Sequence, residues 1–174
     1  MKTSLVITLV GPDRTGLVEA VARVVAEHGG NWLESRLCRL GGEFAGIVRV
    51  EVPADRQAGL LAALPGTAGL QVTVQADAAS GVAGKAEIRR RLEVVGSDRP
   101  GIVRDITSAL ARAGVNVEEF ASEIVSAPMS GEPLFQASAR LGLPAGCDVA
   151  ALKAELEKIA ADLLVEVALA EEVR

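Results

Sequence analysis

The chain has little of the chemistry that marks several large classes of protein. Among its 174 residues, 18 are Lys or Arg and 23 are Asp or Glu, so the formal net charge is −5. Direct binding to nucleic acid requires a basic surface, and this balance argues against it. Arg89, Arg90 and Arg91 form the only basic run. On a strand their side chains alternate between faces, so we expect solvated or ion-paired arginines and not one basic patch.

Cysteine and histidine are equally scarce. Cys38 and Cys147 are too few for a disulfide framework, form no zinc motif, and are typical of a reduced protein. His28 is the only histidine, and its place at the end of a predicted helix explains it by charge complementarity without catalysis. No stretch of 18 apolar residues occurs, and Met1 and Lys2 lead into a strand-like segment instead of a signal peptide. We therefore expect a cytoplasmic protein that does not enter a membrane.

Aromatic residues make up only 2% of the chain, whereas 49% of it is hydrophobic. The apolar content is almost entirely aliphatic, and it is sufficient for two small folded cores. This composition argues against intrinsic disorder.

The chain contains a long internal repeat. Residues 10–37 align with residues 95–122 at a constant offset of 85, and 10 of the 28 aligned positions are identical. Chance at ordinary composition would give roughly two. The polar residues and glycines that recur are Gly11, Asp13, Arg14, Gly16, Gly29, Asn31 and Glu34, which become Gly96, Asp98, Arg99, Gly101, Gly114, Asn116 and Glu119. A loop–helix–strand unit has therefore been duplicated, and not only a hydrophobic pattern.

The repeat indicates two domains of about 80 residues. We predict domain boundaries at 1–76 and 86–174, with a linker over 77–85 whose residues are small, polar or glycine. In each domain, hydrophobic periodicity predicts the order strand, helix, strand, strand, helix, strand. An antiparallel sheet with both helices on one face satisfies this order, which is the α+β, ferredoxin-like βαββαβ fold.

One clear difference separates the two copies. The central hairpin turns through Gly41 and Gly42 in the first copy but extends over residues 126–133 in the second. The longer connection could form a flap or contact a partner.

Each copy places a G-x-D-R-x-G turn between a strand and the N-terminus of a helix. The first N–H groups of a helix carry partial positive charge and attract a carboxylate. Asp13 and Asp98 would supply negative charge for an ammonium group, while Asn31 and Asn116 offer both a donor and an acceptor. This arrangement would complement the zwitterion of an α-amino acid.

A structural interpretation of the same residues stays open. Asp13 and Asp98 could cap their helices, and Asn31 and Asn116 could be left-handed turn residues. For Arg14 and Arg99 we favour a solvent-facing or ion-paired role over contact with a ligand carboxylate. Trp32 is expected in a core or an interface, and Glu34 and Glu119 are expected to be exposed.

The segments GPDRTG…GGN and GSDRPG…GVN resemble the ACT domain, a small-molecule-binding regulatory module with the βαββαβ fold. The tandem arrangement and the segment 31–44 (NWLESRLCRLGGEF) resemble the group of glycine cleavage system transcriptional repressors, which consist of two ACT domains. The resemblance implies that amino acids bind between ACT domains, at the strand–helix turn and the strand after the first helix. The ligand-binding residues that it implies are Asp13, Gly16, Leu17, Asn31, Asp98, Gly101, Ile102 and Asn116.

Two departures from the family pattern affect the first copy. Thr15 stands where the second copy has Pro100, and Trp32 follows Asn31 where the second copy has Val117. The two sites could therefore differ in ligand, or only one could bind.

The resemblance implies a non-catalytic regulatory protein that binds a small amino acid, such as glycine or serine, and modulates transcription through a partner. The partner would be a DNA-binding transcription factor or an enzyme. No nucleophile–base pair, metal set or phosphate loop can be assembled, so we expect no catalysis, metal or cofactor. Exposed sheet faces and edges lead us to expect a homodimer. The alternatives are a regulatory subunit or ACT-bearing relative of a metabolic enzyme, such as formyltetrahydrofolate deformylase, and a dimerisation scaffold without a ligand.

Overall fold

The computed structural model describes residues 1–77, 88–128 and 131–171. The chain divides into two compact units, Met1–Ser80 and Gly81–Arg174. Except for Asp77, the predicted linker over 77–85 lies outside the described residues. Its boundaries therefore stay a prediction.

The first unit contains four strands, two helices and a short 3₁₀ turn. In chain order these are β1 (Lys2–Pro12), α1 (Leu17–Glu27), β2 (Asn31–Leu40), β3 (Glu43–Pro53), α2 (Gln57–Ala63), the 3₁₀ turn (Thr67–Gly69) and β4 (Gln71–Ala76). Glycine ends the first helix, because Gly29 adopts φ 67° immediately after its last turn. The 3₁₀ turn is an addition to the predicted order.

The second unit repeats this order without the 3₁₀ turn. Its elements are β5 (Ile88–Ser97), α3 (Ile102–Arg112), β6 (Asn116–Ser126), β7 (Pro133–Leu143), α4 (Val149–Leu163) and β8 (Val165–Glu171). Helix α4 is longer than α2 and begins with a side-chain cap, since Asp148 accepts a hydrogen bond from the Ala151 N–H.

Both units form a four-stranded sheet in which the first strand lies inside and the second strand lies at an edge. The strand orders are β2-β3-β1-β4 and β6-β7-β5-β8, and all described pairings are antiparallel. The order matches the predicted split-βαβ fold, and the prediction of two α+β ferredoxin-like units is confirmed.

The helices cover one face of each sheet because only alternate strand residues are apolar and buried. In the first unit Leu5, Ile7 and Leu9 of β1 share a core with Leu17 and Val21 of α1. The second unit has an equivalent core, in which strand residues such as Leu92 and Leu141 pack with Ile106 of α3 and Leu156 of α4. Single residues on the opposite face, such as Ile47, stay half exposed.

The hairpin between the second and third strands of each unit differs between the units as predicted. Strand β2 is joined to β3 by Gly41 and Gly42, whereas β6 and β7 are joined by residues 127–132. The longer connection is closed by a hydrogen bond from the Ala127 N–H to the Glu132 carbonyl, 2.8 Å. Residues 129–130 lie outside the described part, so a role as a flap or partner contact stays a prediction.

Candidate functional site

The repeated turn ends in a glycine whose backbone only glycine adopts easily. Gly16 and Gly101 are the N-cap residues of α1 and α3, with φ values of 91° and 103°. Residues with a Cβ are disfavoured in this region, so the motif needs glycine for its conformation. The next residues, Leu17 and Ile102, are 3% and 2% exposed. Their side chains belong to the cores, and only their backbone could contact a ligand.

The first glycine of each motif has a packing role. A Cβ on Gly96 would lie 2.6 Å from Val165 Cα, and a Cβ on Gly11 would lie 3.1 Å from Leu70 Cδ2. Glycine recurs here because the last strand of each unit passes close to the first. These two residues therefore belong to the fold and not to a site.

The aspartates do not cap their helices. The N-cap residues of α1 and α3 are Gly16 and Gly101, which have no side chain. No side-chain hydrogen bond caps either helix start. The Asp13 carboxylate instead pairs with Arg39, with Oδ2 and Nε 2.6 Å apart. The capping alternative for Asp13 and Asp98 is therefore wrong.

The asparagines begin the edge strands. Asn31 and Asn116 are exposed and are the first residues of β2 and β6, where they lie opposite Glu51 and Gly142. The left-handed backbone conformation is adopted by glycines before the asparagines, such as Gly29. Among the described residues that have a Cβ, only Ala68 and Leu164 have a positive φ. The interpretation of the asparagines as left-handed turn residues is also wrong.

The structure does not bring the turn and the asparagine of one unit together. Asn31 lies opposite Glu51, which lies opposite Ser4, whereas the turn follows Pro12 at the other end of β1. Eight residues of extended strand separate these two levels, a distance of roughly 26 Å. Helix α1 runs between them. An amino acid spans only a few ångströms and cannot contact Asp13 and Asn31 of the same unit.

The second unit has the same separation. Asn116 lies opposite Gly142, which lies opposite Arg89, whereas the second turn follows Ser97. Each unit thus presents two separate groups of predicted site residues. The group at the helix start is Asp13, Gly16 and Leu17 in the first unit and Asp98, Gly101 and Ile102 in the second, and the asparagine stands alone past the helix end.

An apolar groove of about 320 Å³ connects the two ends of α1. It is lined by Val18, Ala22, Val25, Ala26, Gly30 and Trp32. The groove begins in the first helical turn and ends on either side of Asn31. Trp32 is half-buried and packs against the core, as expected, while Val18 is 45% exposed. The groove offers an apolar surface beside edge strand β2.

The arginines of the two turns have different surroundings. The Arg14 guanidinium donates a hydrogen bond to the carbonyl of Ala68, in the 3₁₀ turn before β4. Arg14 is exposed, which agrees with the predicted solvent-facing role, and its hydrogen bond goes to a backbone carbonyl and not to an acid. Arg99 is half-buried and has no side-chain hydrogen bond or ion pair within the described residues.

A charged pair stands at the start of α3. Arg104 Nε donates to Asp105 Oδ1 at 2.7 Å. This hydrogen bond is the main reason that the pKa of Asp105 is lowered and the pKa of Arg104 is raised. Both groups are therefore charged at neutral pH. In the first unit the aligned residues are Glu19 and Ala20.

A repeated ion pair escaped the sequence analysis. Arg140 Nη2 lies 2.8 Å from Glu119 Oε1, and Arg49 Nη1 lies 3.9 Å from Glu34 Oε2. The glutamates are exposed as expected, but the two arginines occupy equivalent positions of β3 and β7. Because the second hairpin is longer, the two arginines differ by 91 in residue number and not by the 85 of the repeat. An alignment without gaps therefore does not pair them. Continuing the alignment past a six-residue gap would have found them.

The remaining candidate residues are the histidine, the cysteines and the arginine run. His28 Nδ1 lies 2.8 Å from the Val24 carbonyl at the end of α1, and both cysteines are free. The described residues contain no group of His, Cys, Asp or Glu side chains able to hold a metal ion. Across this same described part, no helix has the length and apolarity to span a membrane. The arginine run is ion-paired, to Glu118, Glu171 and Glu93 in turn.

Comparisons with known proteins agree with this architecture. Family models of the ACT domain match residues 3–76 and 90–131. An unknown protein from Galdieria sulphuraria is 30% identical, with a TM-score of 0.85 over 99% of this chain and 100% of that one. A candidate glycine cleavage system transcriptional repressor is 21% identical, with a TM-score of 0.69 over 100% of this chain and 99% of that one, a likeness of fold. No curated protein sequence matches the chain.

Proposed function

Because this chain belongs to the ACT-domain family and carries two ACT domains in tandem, we propose that it is a non-catalytic sensor of a small amino acid. The observation that carries the proposal is the duplicated turn. Gly16 and Gly101 hold positive φ at both helix starts, three residues after an aspartate. Open N–H groups of a helix favour a carboxylate, and the aspartate favours an ammonium group.

Both groups of site residues can serve one ligand if they come from two chains. A two-fold axis perpendicular to α1 or α3 reverses the partner helix, so the turn of one chain approaches the asparagine of the other. The exposed edge strands and the groove along α1 support such a homodimer. The amino acid would then lie between Asp98 of one chain and Asn116 of its partner, or between Asp13 and Asn31 in the same manner.

The regulatory step is proposed to run through another protein. The net charge of −5 argues against direct contact with DNA. The sequence resemblance over 31–44 favours a transcriptional role, and the structural likeness at 21% identity adds only the fold. We expect a cytoplasmic protein whose ligand changes its affinity for a DNA-binding factor or an enzyme. Such coupling usually amounts to about 1–3 kcal/mol.

A thermal melting screen against the twenty standard amino acids tests ligand binding. At about 100 times its Kd, a ligand should add roughly 2.7 kcal/mol to the free energy of unfolding. The variant Asp98→Ala/Asn116→Ala should lose any shift that the second unit contributes, and Asp13→Ala/Asn31→Ala any shift that the first unit contributes. Asp162→Ala, an exposed change on α4, is the matched control and should respond as the wild type does. Silence of the wild-type protein to all twenty amino acids would favour the scaffold alternative.

Mixing two inactive variants tests whether the site is shared between chains. An Asp98→Ala chain and an Asn116→Ala chain each lack one half of every such site. Their heterodimer would contain one intact site of two, and random pairing makes about half of the dimers heterodimers. Refolding the two chains together should therefore restore about a quarter of the binding that refolding the wild-type chain alone gives. If no mixture binds while the wild type does, the arrangement across two chains is wrong.

Affinity capture from cell extract, with and without the amino acid found in the screen, tests the partner. A DNA-binding protein whose recovery changes with the amino acid would support indirect control of transcription. Recovery of a metabolic enzyme under the same condition would favour the regulatory-subunit alternative.

A further inference from the structure

The acid of the first turn forms an ion pair within its own unit, with an arginine whose side chain is 70% exposed. Arg39 Nε lies 2.6 Å from Asp13 Oδ2, and 28% of the Asp13 side chain remains exposed. The register explains this contact, since Arg39 lies opposite Phe44, which lies opposite Gly11. The Asp13 N–H also donates to the Gly42 carbonyl at 2.9 Å. The short hairpin thus holds the turn beside the end of β2.

The second turn has an apolar residue where the first has this arginine. Ile124 lies opposite Phe135, which lies opposite Gly96, so Ile124 occupies the register position of Arg39. It is 54% exposed and carries no charge. Asp98 is an exposed residue, as Asp13 is, but in the part of the chain that the structure describes its side chain has no hydrogen bond or ion pair.

A second difference acts in the same direction. Glu19 and Ala20 lie in the first turn of α1, where α3 has Arg104 and Asp105, so the formal charge at these positions is −1 in the first unit and zero in the second. A Cβ atom on Gly101 would lie 3.4 Å from Arg104 Nη2 and 3.6 Å from Asp105 Oδ2. Glu19 pairs with Arg23, and among the described residues beyond its chain neighbours no atom lies within 4 Å of the position that a Cβ on Gly16 would take. The first turn is therefore the less favourable place for the carboxylate of a ligand.

We propose that Arg39 is an internal counter-ion that closes the first turn to an ammonium group, and that Asp98 in the second turn is the acid that binds the ligand. The inference rests on the proposed binding of an amino acid and specifies which copy of the turn performs it. Arg39 determines that each chain binds one ligand molecule instead of two. Ile124 is the corresponding residue that keeps the second turn open.

Reciprocal exchange of the two residues tests the proposal. Isothermal titration calorimetry would be performed with the standard amino acid that gives the largest melting shift, on the wild type, Arg39→Ile and Ile124→Arg. We expect one ligand per chain for the wild type and two for Arg39→Ile. For Ile124→Arg we expect at least a tenfold loss of affinity. Arg39→Lys keeps the positive charge and is the matched control. We expect it to bind one ligand per chain, as the wild type does.

The outcomes separate this inference from the proposed function. Two ligands per wild-type chain, or an unchanged stoichiometry in Arg39→Ile, would overturn the role of Arg39 while amino-acid binding stands. Unchanged affinity of Ile124→Arg would overturn the role of Asp98. A wild-type protein that binds none of the twenty amino acids would overturn the proposed function and this inference with it. Melting without ligand verifies that each variant is folded, and Arg39→Gln replaces Arg39→Ile if that variant is not.

Discussion

Arg140 Nη2 lies 2.8 Å from Glu119 Oε1, and the same guanidinium reaches Glu118 Oε2 through Nε at 3.1 Å. The two glutamates follow one another at the β-bulge of β6, where the register shifts between Val117 and Glu119. The bulge directs two successive carboxylates towards one arginine of the neighbouring strand. These two ion pairs join the edge strand β6, which begins at Asn116, to its neighbour β7.

Removal of Arg140 should destabilise the protein measurably. Arg140→Met would leave Glu118 and Glu119 close together without their shared cation, and we expect a loss of about 1 kcal/mol in the free energy of unfolding. Urea denaturation measures it. Arg112→Met breaks a single, more exposed pair with Glu155 and should cost less than about 0.5 kcal/mol. Equal effects of the two changes would show that the double pairing adds nothing.

The glycines at the helix starts should tolerate asparagine better than alanine. At φ 91° and 103°, alanine at Gly16 or Gly101 should cost about 1–2 kcal/mol in stability. Asparagine visits this backbone region more readily, so Gly16→Asn should cost less than Gly16→Ala. Chemical denaturation of the four variants tests the order. If alanine were as stable as glycine at either position, the left-handed backbone would not explain the motif.

The groove along α1 should belong to the dimer interface. Val18 is 45% exposed, so Val18→Asp should leave the unit folded but place a charge in the apolar groove. We expect the variant to be monomeric in analytical ultracentrifugation. Ile47→Asp, at a position that is 52% exposed on the uncovered face of the sheet, is the matched control and should remain dimeric. The opposite result would place the interface on the sheet face.

Two neighbouring leucines of α2 should differ sharply in their contribution to stability. Leu60 is 0% exposed and Leu61 is 38% exposed. Leu60→Ala leaves a cavity in the first core and should cost about 2–5 kcal/mol, whereas Leu61→Ala should cost less than about 1 kcal/mol. Thermal unfolding by calorimetry distinguishes them, and comparable losses would contradict the assigned helix face.

The tandem βαββαβ fold could be predicted because its signals are local. Alternation of Val48, Val50 and Val52, helical spacing after each turn, and the glycines that follow α1 and α3 (Gly29 and Gly114) are signals that act over a few residues. The hairpin turn that the sequence predicts at Gly41 and Gly42 lies directly after β2, which ends at Leu40. The 3₁₀ turn was not predicted, because its conformation depends on packing against the turn that contains Arg14.

The candidate site was predictable only in part. The repeat identified which residues recur, but it could not separate Gly11 and Gly96, which pack against the last strands, from Gly16 and Gly101, which hold the turns. The predicted order of elements already places Asp13 before α1 and Asn31 after it, and the strand register adds that they are roughly 26 Å apart along the sheet. That separation follows from the direction of the helix along the sheet.

The amino-acid sequence by itself determined two copies of one fold, the positions of their turns and the acidic, aliphatic character of the chain. Only the tertiary structure decided that Asp13 is paired with Arg39 and that Asp98 is not paired in this way. The physical reason is that an ion pair depends on distance in space. The length of the hairpin could be read from the sequence, but the strand register that brings Arg39 beside Asp13 could not be derived from the spacing of residues along the chain.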